Sequence, residues 1–375
     1  MSNKRVGVIG GGQLAWMMAT ATAKLGVELF IQTPHKDDPA VAIAHEVIFA
    51  PIDDANGTAK LAQKCDVITF ENEFINLEAL QKLEANGVDF RPKLSALSPL
   101  LDKYQQRNYL QKIGIPVPKF TTVEEISSFN FSFPLVVKAR RHGYDGQGTF
   151  LINTETELSN LLQRLKDVPL MIEEYIPFDR ELAIMAARSL TGEVVTYPVV
   201  ETYQKEQVCR WVIAPANIPE TVQIEANNIA EHLLTQLDVV GIFGIEFFLT
   251  SKGKLLVNEI APRTHNSGHY TLDACNISQF EMQLRAVTEY PLGSTDLNCL
   301  GAVMVNLLGY ENSAHDYREK RAKIAQLPHA YVHWYGKKES RLGRKLGHVT
   351  VLIKDNNTDP EAIAKEVESI WYNQS

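Results

Sequence analysis

The chain has 375 residues, 45% of them hydrophobic and 22% charged, enough for two or three domains of an ordinary soluble protein. Its formal net charge of −8 sets the molecule as a whole against nucleic acid and membrane surfaces, so any anion it binds must meet a local basic site. No apolar run reaches the roughly 20 residues of a membrane span, and Cys65, Cys209, Cys275 and Cys299 lie far apart without a C-x-x-C pair, the pattern of reduced thiols in a cytoplasmic protein.

The N-terminus runs straight into a buried strand, RVGVIG, with no signal-peptide pattern before it. QLAWMMATATAKLG then reads as one helix closed by Gly26. VELFIQ and CDVITFE are further strands, and NLEALQKLEANG is a helix. This alternation predicts a doubly wound α/β unit with a parallel sheet over residues 1–100. Between the first strand and its helix, Gly10, Gly12 and Ala15 fit the dinucleotide fingerprint G-x-G-x-x-A. An NAD site also needs an acid at the end of the second strand. Gln32 and Thr33 stand there instead, which argues against a dehydrogenase. The turn keeps a second use, in which backbone N–H groups at a helix start hold a phosphate.

A break at SALSPLLDK and a helix, KYQQRNYLQKIG, lead into IPVPKF, whose two prolines enforce an extended connector. The rest reads as a small domain, 101–185, and a large domain, 186–375. The small domain holds PLVVKAR, the glycine-rich loop RHGYDGQG, TFLI, a helix over 155–166 and PLMIEEYI. Lys138 lies in a buried strand, where its ammonium is costly unless it meets an anion. The loop after it can fold over phosphates with its N–H groups. In EEYIPFDRE, Glu173 and Glu181 bracket a segment suited to an adenosine clamp. The backbone from Glu174 to Ile176 would meet the base, and Glu181 the ribose.

GIFGIEFFLTSKGKLLVNEIAPR reads as a hairpin. A two-residue turn at Lys252-Gly253 sets Glu246 directly opposite Glu259, with Cβ atoms about 5 Å apart. At an effective dielectric of about 20, two carboxylates so placed repel by roughly 3 kcal/mol. The pair therefore calls for a cation, and oxygen-only ligands suit Mg²⁺ bound jointly with substrate phosphates. In the tail, Lys337, Lys338, Arg341, Arg344 and Lys345 put five basic residues into nine positions, fit for a phosphate monoester.

LLDKYQQRNYLQKIGIPVPKF, VVKARRHGYDGQG, EEYIPFDRE, GIFGIEFF and NEIAPRTHNSGHYT, in this order, resemble the ATP-grasp superfamily. GGGQLA, NEIAPRTHNSGH and WYGKKESRLGRKLGH narrow the resemblance, which covers essentially the whole chain, to its carboxyaminoimidazole ribonucleotide synthetases. The fold this implies is α/β, with a parallel-sheet domain, a two-domain ATP-grasp module and a small C-terminal part. The implied reaction uses ATP to phosphorylate bicarbonate and then carboxylates the amine of aminoimidazole ribonucleotide. By position, Lys103, Lys138, Glu173 and Glu181 bind ATP, and Glu246 and Glu259 hold Mg²⁺, with Mn²⁺ as the alternative. Arg263, His265 and Asn266 sit on bicarbonate or carboxyphosphate. Gln13, Leu14, Glu71 or Glu73, Tyr144, Asp145, Lys337 and Arg344 face the ribonucleotide.

The glycine turn then becomes a ribonucleotide-phosphate turn. Either His265 or His269 shuttles a proton near neutral pH, or Asp145 is the base. The resemblance also implies a homodimer. Ala15, Trp16, Gln147 and Thr264 depart from the usual pattern without removing a metal ligand. Three readings compete: another ATP-grasp ligase with a different acceptor, a nucleotide-binding regulator without turnover, and the dehydrogenase already disfavoured.

Overall fold

The computed structural model describes residues 3–126, 132–141 and 148–372. Its strands form three sheets that follow one another along the chain. The first comprises β1 (Lys4–Ile9), β2 (Val27–Thr33), β3 (Glu46–Phe49) and β4 (Val67–Phe70), in parallel order β3-β2-β1-β4. β2 and β4 are buried almost throughout, as expected of strands with helices on both faces. The expected helix from Gln13 to Gly26 is broken. It runs Gln13–Ala19 and resumes as Thr22–Leu25. The Thr20 and Thr22 hydroxyls donate back to the carbonyls of Met17 and Ala19 at 2.6 and 2.8 Å, which competes with the helical ladder.

The second sheet is antiparallel, order β5-β8-β6-β7, from β5 (Phe120–Thr122), β6 (Leu135–Ala139), β7 (Thr149–Ile152) and β8 (Leu170–Glu174). The helix Glu155–Arg164 packs on it through Leu158 and Leu161. This small domain is shorter than 101–185. Leu110 and Ile115, which precede it, lie in the same apolar cluster as the large sheet, and so does Leu182, which follows it.

The third sheet is the body of the molecule. It takes in β9 (Phe178–Arg188), β10 (Val194–Thr196), β11 (Val200–Lys205), β12 (Val208–Ala214), β13 (Gly241–Thr250), β14 (Leu255–Ala261), β15 (Gly301–Leu308), β16 (Ala330–Trp334) and β17 (Lys345–Ile353). The order is β14-β13-β9-β11-β12-β15-β17-β16, with β10 beside β9. One face is covered by the long helix Glu220–Leu237, whose Val222, Ala226, Ile229, Ala230, Leu233 and Leu234 repeat at helical spacing. The helix Gln279–Val287 packs against β13 and β9 and against the helix Gln13–Ala19, which joins the large sheet to the first domain.

Candidate active site

Glu246 and Glu259 face each other across β13 and β14, but the expected turn is not the reason. Gly253, at φ +76°, closes a loop one residue longer: Thr250 N donates to Lys254 O at 3.0 Å and Gly253 N to Thr250 O at 2.9 Å. That loop alone would pair the strands one residue out of step, as it does at Phe247–Val257. A β-bulge at Asn258 restores the register between the acids. The bulged residue is held from three sides. Its carbonyl accepts from Arg107 Nη2 at 2.6 Å, and its amide oxygen accepts from Lys138 Nζ at 3.1 Å. Its amide nitrogen donates to Glu246 Oε2 at 3.4 Å.

One lysine meets this pair, and a second lies beside it on Asn258. Lys103 Nζ lies 2.8 Å from Glu259 Oε1, on a carboxylate that is 47% exposed. Lys138 Nζ lies 2.7 Å from Glu173 Oε2, and Arg107 Nε lies 2.5 Å from Glu173 Oε1. Lys103 and Arg107 are four residues apart on the helix Lys103–Lys112 and so share a face. Asp102 caps that helix through the amides of Tyr104 and Gln105, and also binds Arg140 at the end of β6. The cap thus fixes the small domain's lysine strand to the lysine helix.

Burial, with Glu259 and Glu181 near, raises the Glu246 carboxyl to about 8. Burial pushes Glu259 the same way, but Lys103 outweighs it and holds the group at about 2. Burial alone would raise Glu173 as well, yet Arg107 and Lys138 hold it at about 2. Burial lowers the Lys138 ammonium, against the pull of Glu173. Glu181 is raised to about 7 by burial. It pairs with Phe248 across β9 and β13, and Phe248 stacks on Phe178 with ring centroids 4.7 Å apart. Ile176 O accepts from Phe178 N at 2.9 Å, and Glu174 Oε1 accepts from Lys119 N at 2.8 Å.

Beyond β14, Arg263 Nε lies 3.1 Å from Glu73 Oε2. His265 Nδ1 accepts from Ser267 N at 3.4 Å, leaving Nε2 3.6 Å from Glu246 Oε1. Asn266 exchanges two hydrogen bonds with the amide of Asn306, at 2.9 and 2.7 Å, so both ends of its side chain are engaged.

The structure bears on three expectations. The glycine turn already holds an anion. Glu71, 8% exposed, accepts from Gly12 N at 2.8 Å and from Leu14 N at 3.1 Å. A Cβ on Gly10 or Gly12 would collide with that carboxylate, which is why these positions are glycine. Glu71 therefore occupies the Gly12 and Leu14 amides, which a phosphate cannot share with it. What remains beside the turn is Gln13, whose Oε1 accepts from Lys337 Nζ at 2.6 Å. Arg344 Nη1 is turned to Glu339 O at 2.8 Å. Second, His269 is fully buried, and burial pushes its pKa well below the usual histidine value, which argues against a proton shuttle there. Third, the second strand ends on a buried amide. As the sequence indicates, that amide is Gln32, which donates to Pro51 O at 2.6 Å and accepts from Thr58 Oγ1 at 2.8 Å, while Asp38 from the following loop accepts from the Thr33 hydroxyl. Tyr144, Asp145 and Gln147 lie outside the described residues.

Arg107, Asn258, Phe248 and Asn306 were not singled out from sequence. Arg107 alone had a visible signal, its spacing from Lys103. The arrangement gathers two acids, two lysines and an arginine–glutamate pair along one edge of the large sheet. Such a set suits transfer of a phosphoryl group to a small oxyanion.

Comparison with known proteins agrees. The ATP-grasp domain matches residues 108–280, the ribonucleotide synthetase preATP-grasp domain residues 3–99, and the phosphoribosylaminoimidazole carboxylase C-terminal domain residues 302–361. An N5-carboxyaminoimidazole ribonucleotide synthase of Synechocystis is 53% identical over 98% of each chain. The Thermotoga maritima N5-carboxyaminoimidazole ribonucleotide synthetase superposes with a TM-score of 0.87, at 40% identity over 98% of each chain. The Aspergillus clavatus enzyme, solved with ADP and 5-aminoimidazole ribonucleotide, gives 0.91 at 29% identity over 98% of each chain. The chain belongs to the N5-carboxyaminoimidazole ribonucleotide synthase family of the ATP-grasp superfamily.

Proposed function

We propose that the protein carboxylates the amine of 5-aminoimidazole ribonucleotide at the expense of ATP and bicarbonate, releasing ADP and phosphate. It is an ATP-grasp ligase of purine biosynthesis. The observation that carries the reading is the Glu246–Glu259 pair with Lys103 and Lys138 at its edge and Arg263 beyond it.

The two carboxylates fit Mg²⁺: both are hard oxygen donors, and Lys103 already stands on Glu259 as a positive partner. When bound, the ion supplies positive charge to the transferring phosphoryl group. Glu246 and Glu259 would hold it. Lys138, aligned by Glu173 and Asn258, meets the nucleotide phosphates, as does Lys103. Glu181 takes the ribose and the backbone of 174–176 the base. Arg263, whose Nε lies beside Glu73, binds the planar bicarbonate. Bicarbonate oxygen attacks the γ-phosphorus and the bond to ADP breaks, giving carboxyphosphate. The amine then takes the carboxyl carbon, phosphate leaves, and a base accepts the amine proton. His265, with its ring nitrogen facing Glu246, is a candidate for that step. Asp145 is the other. Gln13 and Lys337 receive the ribonucleotide, with Arg344 from the same basic segment. The working unit is a homodimer.

The test is ADP release with Mg·ATP and bicarbonate, with and without 5-aminoimidazole ribonucleotide, with ¹³C-bicarbonate traced into product. Strong stimulation and a ¹³C-carbamate product support the reading. Stimulation by a different acceptor alone moves the chain to another ATP-grasp ligase. Light scattering during gel filtration tests the dimer.

A further inference from the structure

The segment Thr264–Gly268, which carries His265, is anchored at His265 by a side chain with no contact to the paired carboxylates, that of Gln279. Gln279 opens the helix Gln279–Val287, is fully buried, and lies 14 residues from His265. Its Oε1 accepts from His265 N at 2.9 Å, and its Nε2 donates to His265 O at 2.8 Å. The amide thus pairs with both backbone groups of His265, as a neighbouring strand would. The same Nε2 lies 3.1 Å from His269 Nδ1.

This bonding fixes protons as well as positions. Because Oε1 is held by a backbone N–H, the amide cannot be turned over. Nε2 has two hydrogens, one for His265 O and one for His269 Nδ1. His269 Nδ1 must then offer a lone pair, so the His269 ring is neutral with its proton on Nε2. The fit around the amide is tight. A Cβ on Gly268 would lie 2.6 Å from Gln279 Oε1, and one on Gly244 would lie 2.6 Å from His265 Cβ. Gln279 N also donates to Thr271 Oγ1, which donates to Gly268 O, closing the far end of the segment at 2.9 and 2.6 Å.

We propose that Gln279 is a positioning residue for the reaction: its amide sets the backbone of His265, and so the placement of the His265 ring beside Glu246, while locking His269 in one neutral tautomer. The inference rests on the reading of His265 as a group at the reacting centre.

Three variants test it, with ribonucleotide-dependent ADP release as the readout. Gln279→Leu keeps the bulk and loses the three side-chain amide bonds. It lowers kcat by about 10²-fold, the scale of an ångström-sized misplacement, and leaves KM for ATP within about twofold. Gln279→Glu keeps the acceptor and regains a donor only when protonated. Its rate relative to wild type therefore rises as pH falls from about 8 to about 6, a recovery that a packing role would not produce. ¹⁵N NMR of the wild type finds His269 neutral with Nδ1 unprotonated across that range. If Gln279→Leu does not fold, the Glu variant and the NMR experiment still decide. A Glu variant whose rate ratio is flat with pH overturns the proposal, as does a His269 ring protonated on Nδ1. His265→Ala separates the two levels. If it is inactive while both Gln279 variants match wild type, the proposal falls and the reading of His265 stands. If it is fully active, that reading falls and takes the proposal with it.

Discussion

Two places in the molecule concentrate charge where a ligand is expected, and the fold fills both with its own groups. At the glycine turn the group is Glu71, buried under the helix amides of Gly12 and Leu14. At the hairpin it is Lys103, resting on a Glu259 side chain that is still half exposed. The first filling is permanent, because removing a buried carboxylate leaves amide donors with nothing to accept from them. The second is provisional, because a half-exposed carboxylate can exchange its ammonium partner for a stronger cation. A motif thus specifies the sign of the charge a site will hold. Whether the chain or a ligand supplies that charge depends on what the fold brings within reach.

Substitutions at each place sharpen the contrast. The largest effect falls on the open site. Glu259→Gln removes one of the two proposed metal charges and lowers turnover by roughly 10³-fold, equivalent to several kcal/mol of charge stabilisation, with the circular dichroism spectrum unchanged. Wild-type turnover in that variant would make Lys103 the permanent partner of Glu259. Next, Glu173→Gln leaves Arg107 and Lys138 facing each other in the interior and costs about 3–5 kcal/mol in urea unfolding. The pH dependence carries its own sign. The Glu173 pKa is lowered from 4.5 to about 2, so its stabilisation is complete above 4.5 and is lost as pH falls toward 2. The variant's stability deficit should shrink over that interval.

At the closed site, Glu71→Gln places an N–H₂ group where two amides donate, and costs about 1–3 kcal/mol of stability while KM for the ribonucleotide stays put. A raised KM with unchanged stability would restore Glu71 as a ligand. The smallest effect belongs to the basic segment. Lys337→Ala raises KM for the ribonucleotide about tenfold with KM for ATP unchanged, if the contact is uniform binding. Arg344→Ala does the same more weakly, since Arg344 is turned toward Glu339 O.

Much of this was legible in the linear chain. Alternation of buried strands and helices marks the first domain, and the apolar runs around Glu246 and Glu259 mark the hairpin. Lys138 stands out because a lysine rarely closes a buried strand. Long-range partnerships were not legible. Glu71 reaches Gly12 across 59 positions, and Gln279 reaches His265 from a helix that the sequence reading did not mark. β3 was missed because its four residues are exposed or half-buried and carry no alternation. The hairpin acids were paired correctly for an incomplete reason: the longer loop and the bulge each shift the register by one, and the two shifts cancel.

That cancellation gives the hairpin a practical use. The register of the acids is pinned at Asn258 by Arg107, Lys138 and Glu246, so the distal loop carries no responsibility for it. Residues 251–254 are exposed, and a Cβ on Gly253 would touch nothing within 4 Å. A fluorophore or a short epitope inserted between Ser251 and Lys252 would therefore ride on the same two strands as Glu246 and Glu259 without sliding them. The protein carries, at the tip of its active-site hairpin, a ready mounting point for a reporter.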